Sequence, residues 1–192
     1  MISKEIENIN KFKNAFPEFL QEIISKHPFS FNLRTFKKWA LDAINQLSFA
    51  EYNIAENDQI YDATISCVFN GQQLNCPVSI NITKLIQKTK DKPKTEFFTK
   101  DLYELVHPDV KQEIFTVSTS HISSPLLLKD ENFYCQLIDG NHRVVANHRN
   151  DIKTTYVILI NSNDLKDCLE FKDFETIIKV FSKLNTILKK YN

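Results

Sequence analysis

Only two glycines occur in 192 residues, Gly71 and Gly140. Average usage would supply about 7%. A chain that avoids glycine this strongly should keep it only where the backbone requires it, so each of the two marks a point at which the path of the chain is fixed. Gly71 follows Asn70, and Asn-Gly between alternating apolar runs is the strongest short hairpin signal. Tyr61, Ala63, Ile65, Cys67 and Phe69 alternate before it, and Leu74, Cys76, Val78, Ile80 and Ile82 after it. A two-residue turn sets Cys67 opposite Leu74, and a four-residue loop sets it opposite Cys76. Both registers keep the apolar residues on one face, with Ile65, Phe69, Val78 and Ile80 buried against the N-terminal helices. The second register would permit a Cys67–Cys76 disulfide. Four cysteines without metal-ligand spacing argue instead for reduced thiols in a cytoplasmic protein.

Residues 1–50 read as helices. Ile2, Ile6, Ile9, Phe12 and Phe16 recur at helical spacing, and Pro17 suits the first turn of a second helix carrying Phe19, Leu20, Ile23 and Ile24. A third helix follows "HPFSFN", with Leu33, Phe36, Ala40, Ile44 and Leu47 on one face and Trp39 beside it. These stripes read as core, since helices gain stability mainly by burying one face. The lysine-rich stretch "TKLIQKTKDKPKT" at 83–95 reads as a connection that can begin as a helical turn, with Pro93 ending any helix before residue 92; it divides the chain into an N-terminal lobe at 1–90 and a second domain at 91–192.

From residue 95 onward the pattern is compact. "TEFFTKDL" suggests a short strand, and "HPDVKQEIF" begins a helix at Pro108, with strand as the competing reading for 114–119. "SPLLLK" at 124–129 and "FYCQLID" at 133–139 read as an antiparallel pair across the turn "DEN". "TTYVILI" at 154–160 is a further buried strand. Phe174, Ile177, Ile178, Phe181, Leu184 and Leu188 form an amphipathic C-terminal helix capped at Asp173. The predicted class is α/β of the α+β kind.

Gly140 ends the strand at 133–139 and precedes "NHRVVANHR", a segment suited to a helix. Strand, glycine, helix brings a ligand close to backbone amides, and a helix N-terminus favours an anion. Arg143 can fork onto phosphate oxygens, and His142 adds a donor or a cation. Asp139 is unfavourable beside a phosphate by itself, which suggests a metal ligand or a base for an incoming hydroxyl. On spacing alone, an Asp-Gly turn before an exposed helix end fits equally.

The segment "SPLLLKDENFYCQLIDGNHRVVA" resembles the central part of the ParB/sulfiredoxin superfamily. It has a proline and short strand (Pro125–Lys129), a hairpin, a second strand ending at Asp139, a Gly-x-x-Arg box (Gly140–Arg143) and a further strand at 154–160. The resemblance covers roughly residues 95–160. It implies a small mixed sheet with helices that binds nucleotide phosphates at the box through Gly140, Asn141, His142 and Arg143; the N-terminal lobe of helices and a hairpin, at residues 1–90, lies outside it. Partition proteins of this superfamily usually carry Gly-Glu-Arg-Arg and a downstream DNA-reading region. Here Asn141 and His142 replace Glu and Arg, and only 32 residues follow Ile160, so sequence-specific DNA binding is not expected. Sulfiredoxins place a nucleophilic cysteine where Asn141 stands, which argues against thiol repair. The Asp-Gly-x-His-Arg form is similar to that of ParB-like free-serine kinases and of a group of DNA-modification-associated proteins. The kinase resemblance implies a second carboxylate near the start of the helix after the first strand, where Asp109 and Glu113 stand. Ser123 and Ser124 could bond a ligand or simply make a turn. His107 and His121 have no metal partner at a telling spacing, and His148 and Arg149 read as surface or supporting residues.

Two classes of function remain. One is a nucleotide-dependent phosphotransferase or hydrolase, using ATP or another nucleotide with Mg²⁺, with Asp139 as base or metal ligand and a small-molecule or protein hydroxyl as acceptor. The other is a module that binds a nucleotide, nucleic acid or protein without turnover. Lys+Arg and Asp+Glu are both 24, so the balanced charge argues against broad nucleic-acid binding. No apolar run approaches a membrane span, and the polar N-terminus does not read as a secretory signal.

Overall fold

The first 25 helical residues form one helix, not two. The computed structural model describes residues 2–28, 30–47, 58–69, 72–113, 124–130, 135–169 and 173–190, and the side chains of 2–6, 8, 65–69 and 72 lie outside that description. Helix α1 (Ile2–Lys26) runs through Pro17. An interior proline forfeits a hydrogen bond and crowds the preceding turn, at about 3 kcal/mol. Here it stands on the exposed side of the helix. Ile9, Phe12, Phe16, Phe19, Leu20 and Ile23 stay in phase on the buried side across it. Burying that unbroken stripe outweighs the local cost.

Helix α2 (Phe31–Asn45) begins at Ser30, whose hydroxyl accepts from the Leu33 N–H at 3.2 Å. It buries Leu33, Phe36, Ala40 and Ile44, as the sequence predicts. The C-terminal helix α7 (Asp173–Leu188) also follows the predicted face. Phe181 of α7 meets Phe12 of α1 at 5.6 Å between ring centroids. Two compact units result: residues 1–56, 62–80 and 169–192, and residues 57–61 and 81–168. The boundary expected at residue 90 is therefore corrected. Helix α7 belongs with α1 and α2, because its phenylalanine face is buried there and not on the second sheet.

The hairpin strands β1 (Ile60–Phe69) and β2 (Gln72–Asn81) pair with each other. The Ser79 hydroxyl donates to Asp62 Oδ1 at 3.0 Å, and the Ile82 N–H donates to the Gln59 carbonyl at 2.7 Å. The two contacts share one offset; the turn itself, at residues 70 and 71, lies outside the described residues. Val78 and Ile80 are buried, while the Ile65 and Phe69 side chains lie outside the description. Cys76 is a buried free thiol whose titration burial pushes up, so it is not in a disulfide with Cys67.

The second unit begins with helix α3 (Ile82–Thr89), whose N-cap Asn81 accepts from the Lys84 N–H at 2.9 Å. The stretch read as a connection thus opens with two turns of helix, which end before Pro93. A four-stranded sheet follows: β3 (Lys94–Phe98), β4 (Leu126–Leu128), β5 (Gln136–Asp139) and β6 (Thr154–Ile160), in the order β3-β6-β4-β5. Strands β4 and β5 are antiparallel, as predicted, with an irregularity between Leu126 and Leu127. Strand β4 runs parallel to β6, and β3 antiparallel to it. Helices α4 (Thr99–Glu104), α5 (Pro108–Gln112) and α6 (Asn141–Arg149) complete the unit. Residues 114–119, where helix and strand competed, lie outside the described residues. The chain is thus mixed α+β, with seven helices and two small sheets among the described residues. None of those helices is long and apolar enough to cross a membrane.

Alternation along the strands decides which helix covers which face. Leu127, Leu137 and Val157 share one cluster with Leu102 and Val106, in and just after α4, and with Val144 and Val145 of α6. A buried polar group joins the same layers. Thr155 Oγ1 lies 2.9 Å from Thr99 Oγ1 and accepts from Asn147 Nδ2 at 2.9 Å. Thr155→Val keeps the shape and removes the hydroxyl, leaving both partners short of a bond. Urea unfolding should show a loss of about 1–3 kcal/mol; an unchanged midpoint would mean that the group contributes nothing.

Candidate functional site

The site is built where β5 hands over to α6. Gly140 is the N-cap of α6, with φ 86° and ψ 17°. That left-handed conformation is one reason for glycine. The second is packing. A Cβ at Gly140 would stand 2.7 Å from Pro125 Cβ and 2.8 Å from Pro125 Cα. The glycine thus lets the start of α6 lie directly against the residue that leads into β4. Gly140 has no side chain with which to cap the helix, and no cap bond is made there among the described residues, so its first turn offers N–H groups that the helix itself cannot satisfy.

Two acid–base pairs stand at this turn. Arg143 Nη2 donates to Asp139 Oδ2 at 2.6 Å, with the side chains 20% and 24% exposed. His142 Nε2 lies 2.8 Å from Glu113 Oε2, and both side chains are about half exposed. Of the two carboxylates expected to assist, the structure brings Glu113 to the box. Asp109 faces His107 instead: its N–H donates to His107 Nδ1 at 3.3 Å, and its carboxylate lies 3.4 Å from the same atom. Asn141 donates from Nδ2 to the Leu137 carbonyl at 3.3 Å, which engages it with its own strand.

Ser124 falls elsewhere. It lines a cavity with Leu126 and Ile158, whose side chains point away from the face that Leu127 and Val157 turn toward α6. The expectation that Ser124 serves the box is therefore corrected by strand parity: Ser124 and Leu126, two residues apart, share the other face.

Arg149 has a larger part than its sequence context suggested. Its Nη2 donates to the carbonyls of Lys111 at 2.8 Å and Glu113 at 2.9 Å. It clasps the end of α5 and so holds Glu113 beside His142. His148 stacks on Tyr103 at 3.9 Å between centroids, and Lys111 Nζ lies 4.7 Å from the Tyr103 ring centroid. Tyr103 carried no sequence signal, because its role depends on where α4 lies against α6. Of the remaining candidates, Ser123 and His121 lie outside the described residues.

Chemically, the turn combines a helix N-terminus, a guanidinium and an imidazole with two carboxylates. With His142 neutral the four side chains sum to one negative charge, so an anion must displace or neutralise Asp139 to gain Arg143. Among the described residues no group of three His, Cys, Asp or Glu side chains could hold a metal ion by itself. Mg²⁺, however, is commonly held by one or two carboxylates together with substrate phosphates, and Asp139 fits that requirement. Comparison of the chain with protein-family models, with curated proteins and with solved structures finds no match.

Proposed function

We propose that this chain is a nucleotide-binding protein of ParB/sulfiredoxin type, with its phosphate site at Gly140–Arg143. The observation that carries the reading is the left-handed Gly140 seated on Pro125, which gives the α6 N-terminus, between Asp139 and Arg143, an N-cap without a side chain. Mg²⁺ arriving with the nucleotide would be held by Asp139 and would supply charge neutralisation. Arg143, released from Asp139, forks onto phosphate oxygens, His142 adds a donor, and the first-turn N–H groups receive the remaining charge.

Turnover is supported by the arrival of Glu113 at the box. A carboxylate at that place can accept the proton of a hydroxyl acceptor, as phosphoryl transfer to a small molecule or a protein, or hydrolysis, requires. Binding without turnover is supported by a different fact: both carboxylates at the box are already engaged, Asp139 by Arg143 and Glu113 by His142. A cytoplasmic setting suits either reading, since Cys76, Cys135 and Cys168 are free thiols.

A thermal-shift series with ATP, ADP, CTP and GTP, each with and without Mg²⁺, tests the proposal. A ligand at a hundredfold excess over its Kd stabilises the folded state by about 2.7 kcal/mol. At least one nucleotide should raise the midpoint by several degrees, and more with Mg²⁺ than without. No shift with any of the four would overturn the reading.

A further inference from the structure

On the sheet face turned away from α6 lies a cavity of about 340 Å³, lined by Ile86, Thr89, Lys90, Lys94, Ser124, Leu126 and Ile158. Its floor is a row across three strands. Lys94 pairs with Ile158, and Ile158 with Leu126, so directly opposed side chains stand on one face. Ile86 of α3 closes it from above.

The polar groups divide into those already engaged and those left over. The Thr89 hydroxyl donates to the Leu85 carbonyl at 2.7 Å. Lys92, between the two lining lysines, bonds Asp164 at 2.6 Å and the Leu159 carbonyl at 3.1 Å. Lys90 and Lys94 have no ion pair among the described residues. Ser124 is 8% exposed as a residue, and its hydroxyl, which bonds no described residue, is not sealed from the cavity that it lines. A hydroxyl engaged by no described residue and two exposed ammonium groups without an ion pair thus stand beside an apolar floor, and together they can serve as the few placed polar groups of a ligand site. The volume is at the small end of ligand sites, which are mostly apolar with a few placed polar groups.

We infer that this cavity is a second binding site, for a small organic anion with an apolar body. The body lies on Ile86, Leu126 and Ile158, the acidic group meets Lys90 and Lys94, and Ser124 donates to an acceptor atom. Carboxylates and phosphate monoesters share this chemistry. The site is independent of the box, because it uses the opposite face of the sheet.

The test is titration calorimetry on the full chain with benzoate, phenyl phosphate, neutral benzamide and inorganic phosphate. Benzoate or phenyl phosphate should bind at millimolar concentration or below, and the better of the two identifies the acidic group. Benzamide, without charge, and inorganic phosphate, without an apolar body, should bind about tenfold more weakly. The double change Lys90→Gln, Lys94→Gln should weaken binding about tenfold, and added salt should weaken it further. Ser124→Ala should weaken it about fivefold without lowering the stability of the free protein, since the hydroxyl has no partner to lose. That combination separates a ligand contact from a structural one. Binding of benzamide as tight as benzoate would overturn the inference. So would no binding of either anion, or phenyl phosphate binding lost with Arg143→Ala but kept in the double lysine variant, which would assign it to the box.

Discussion

Gly140→Ala is expected to destabilise the second unit by about 2–5 kcal/mol, the sum of a left-handed conformation for a non-glycine residue and an overpacked contact. The contact is with Pro125, and Pro125 cannot easily give way. Its carbonyl accepts from the Ile158 N–H at 2.9 Å, and it leads directly into the buried strand β4. Relief must then come from α6, whose first turn would tilt away from β5 and carry Arg143 and His142 with it. Denaturant unfolding gives the stability change. A cycle with Pro125→Gly should show the two changes to be less than additive, because they share one contact. A loss below about 1 kcal/mol would mean that the turn relaxes freely, and the account of the glycine would fail.

The second large effect concerns the Asp139–Arg143 pair. Arg143→Ala should weaken nucleotide binding about ten- to a hundredfold, the equivalent of a charge-assisted hydrogen bond of about 1.5–3 kcal/mol. Asp139→Asn should act in the opposite direction. It leaves a guanidinium, only 20% exposed, without its carboxylate, so the free protein should lose stability. A bound phosphate restores the missing negative charge, so affinity without Mg²⁺ should hold or rise. The affinity gained by adding Mg²⁺ should fall, because its carboxylate is gone, and any turnover should fall with it. If Asp139→Asn and Arg143→Ala weakened Mg²⁺-free binding alike, the pair would be acting as a structural clamp and not as a phosphate site.

Much of the architecture was legible in the residues because local pattern and final environment agree. β6 is seven apolar-rich residues, and α7 places a phenylalanine or aliphatic side chain at each inward turn, so each was read at its observed place. Pro17 shows where local rules stop: the rule about its ring is correct, but the in-phase stripe from Ile9 to Ile23 prevails over it. The grouping of α7 with α1 was not legible, since no spacing along the chain tells Phe181 that its neighbour is Phe12. At the candidate site the same distinction holds. Gly140 announced itself by rarity. The choice between Asp109 and Glu113 depended on where α5 ends against α6, and Arg149 sets that through two backbone carbonyls. Ser124 was legible in principle, because its parity with Leu126 places it opposite the box, but the irregularity beside Leu126 makes parity in this segment hard to trust without the paired strands.

The central claim, that the turn at Gly140 receives nucleotide phosphates, is tested most directly by titration calorimetry. ATP, ADP, CTP and GTP would each be titrated into the wild type and Arg143→Ala, with and without Mg²⁺. The account predicts that at least one nucleotide binds the wild type, more tightly with Mg²⁺, and that Arg143→Ala weakens it about ten- to a hundredfold. Absence of binding to the wild type at millimolar concentration in all eight conditions, or binding that Arg143→Ala leaves unchanged, would contradict it.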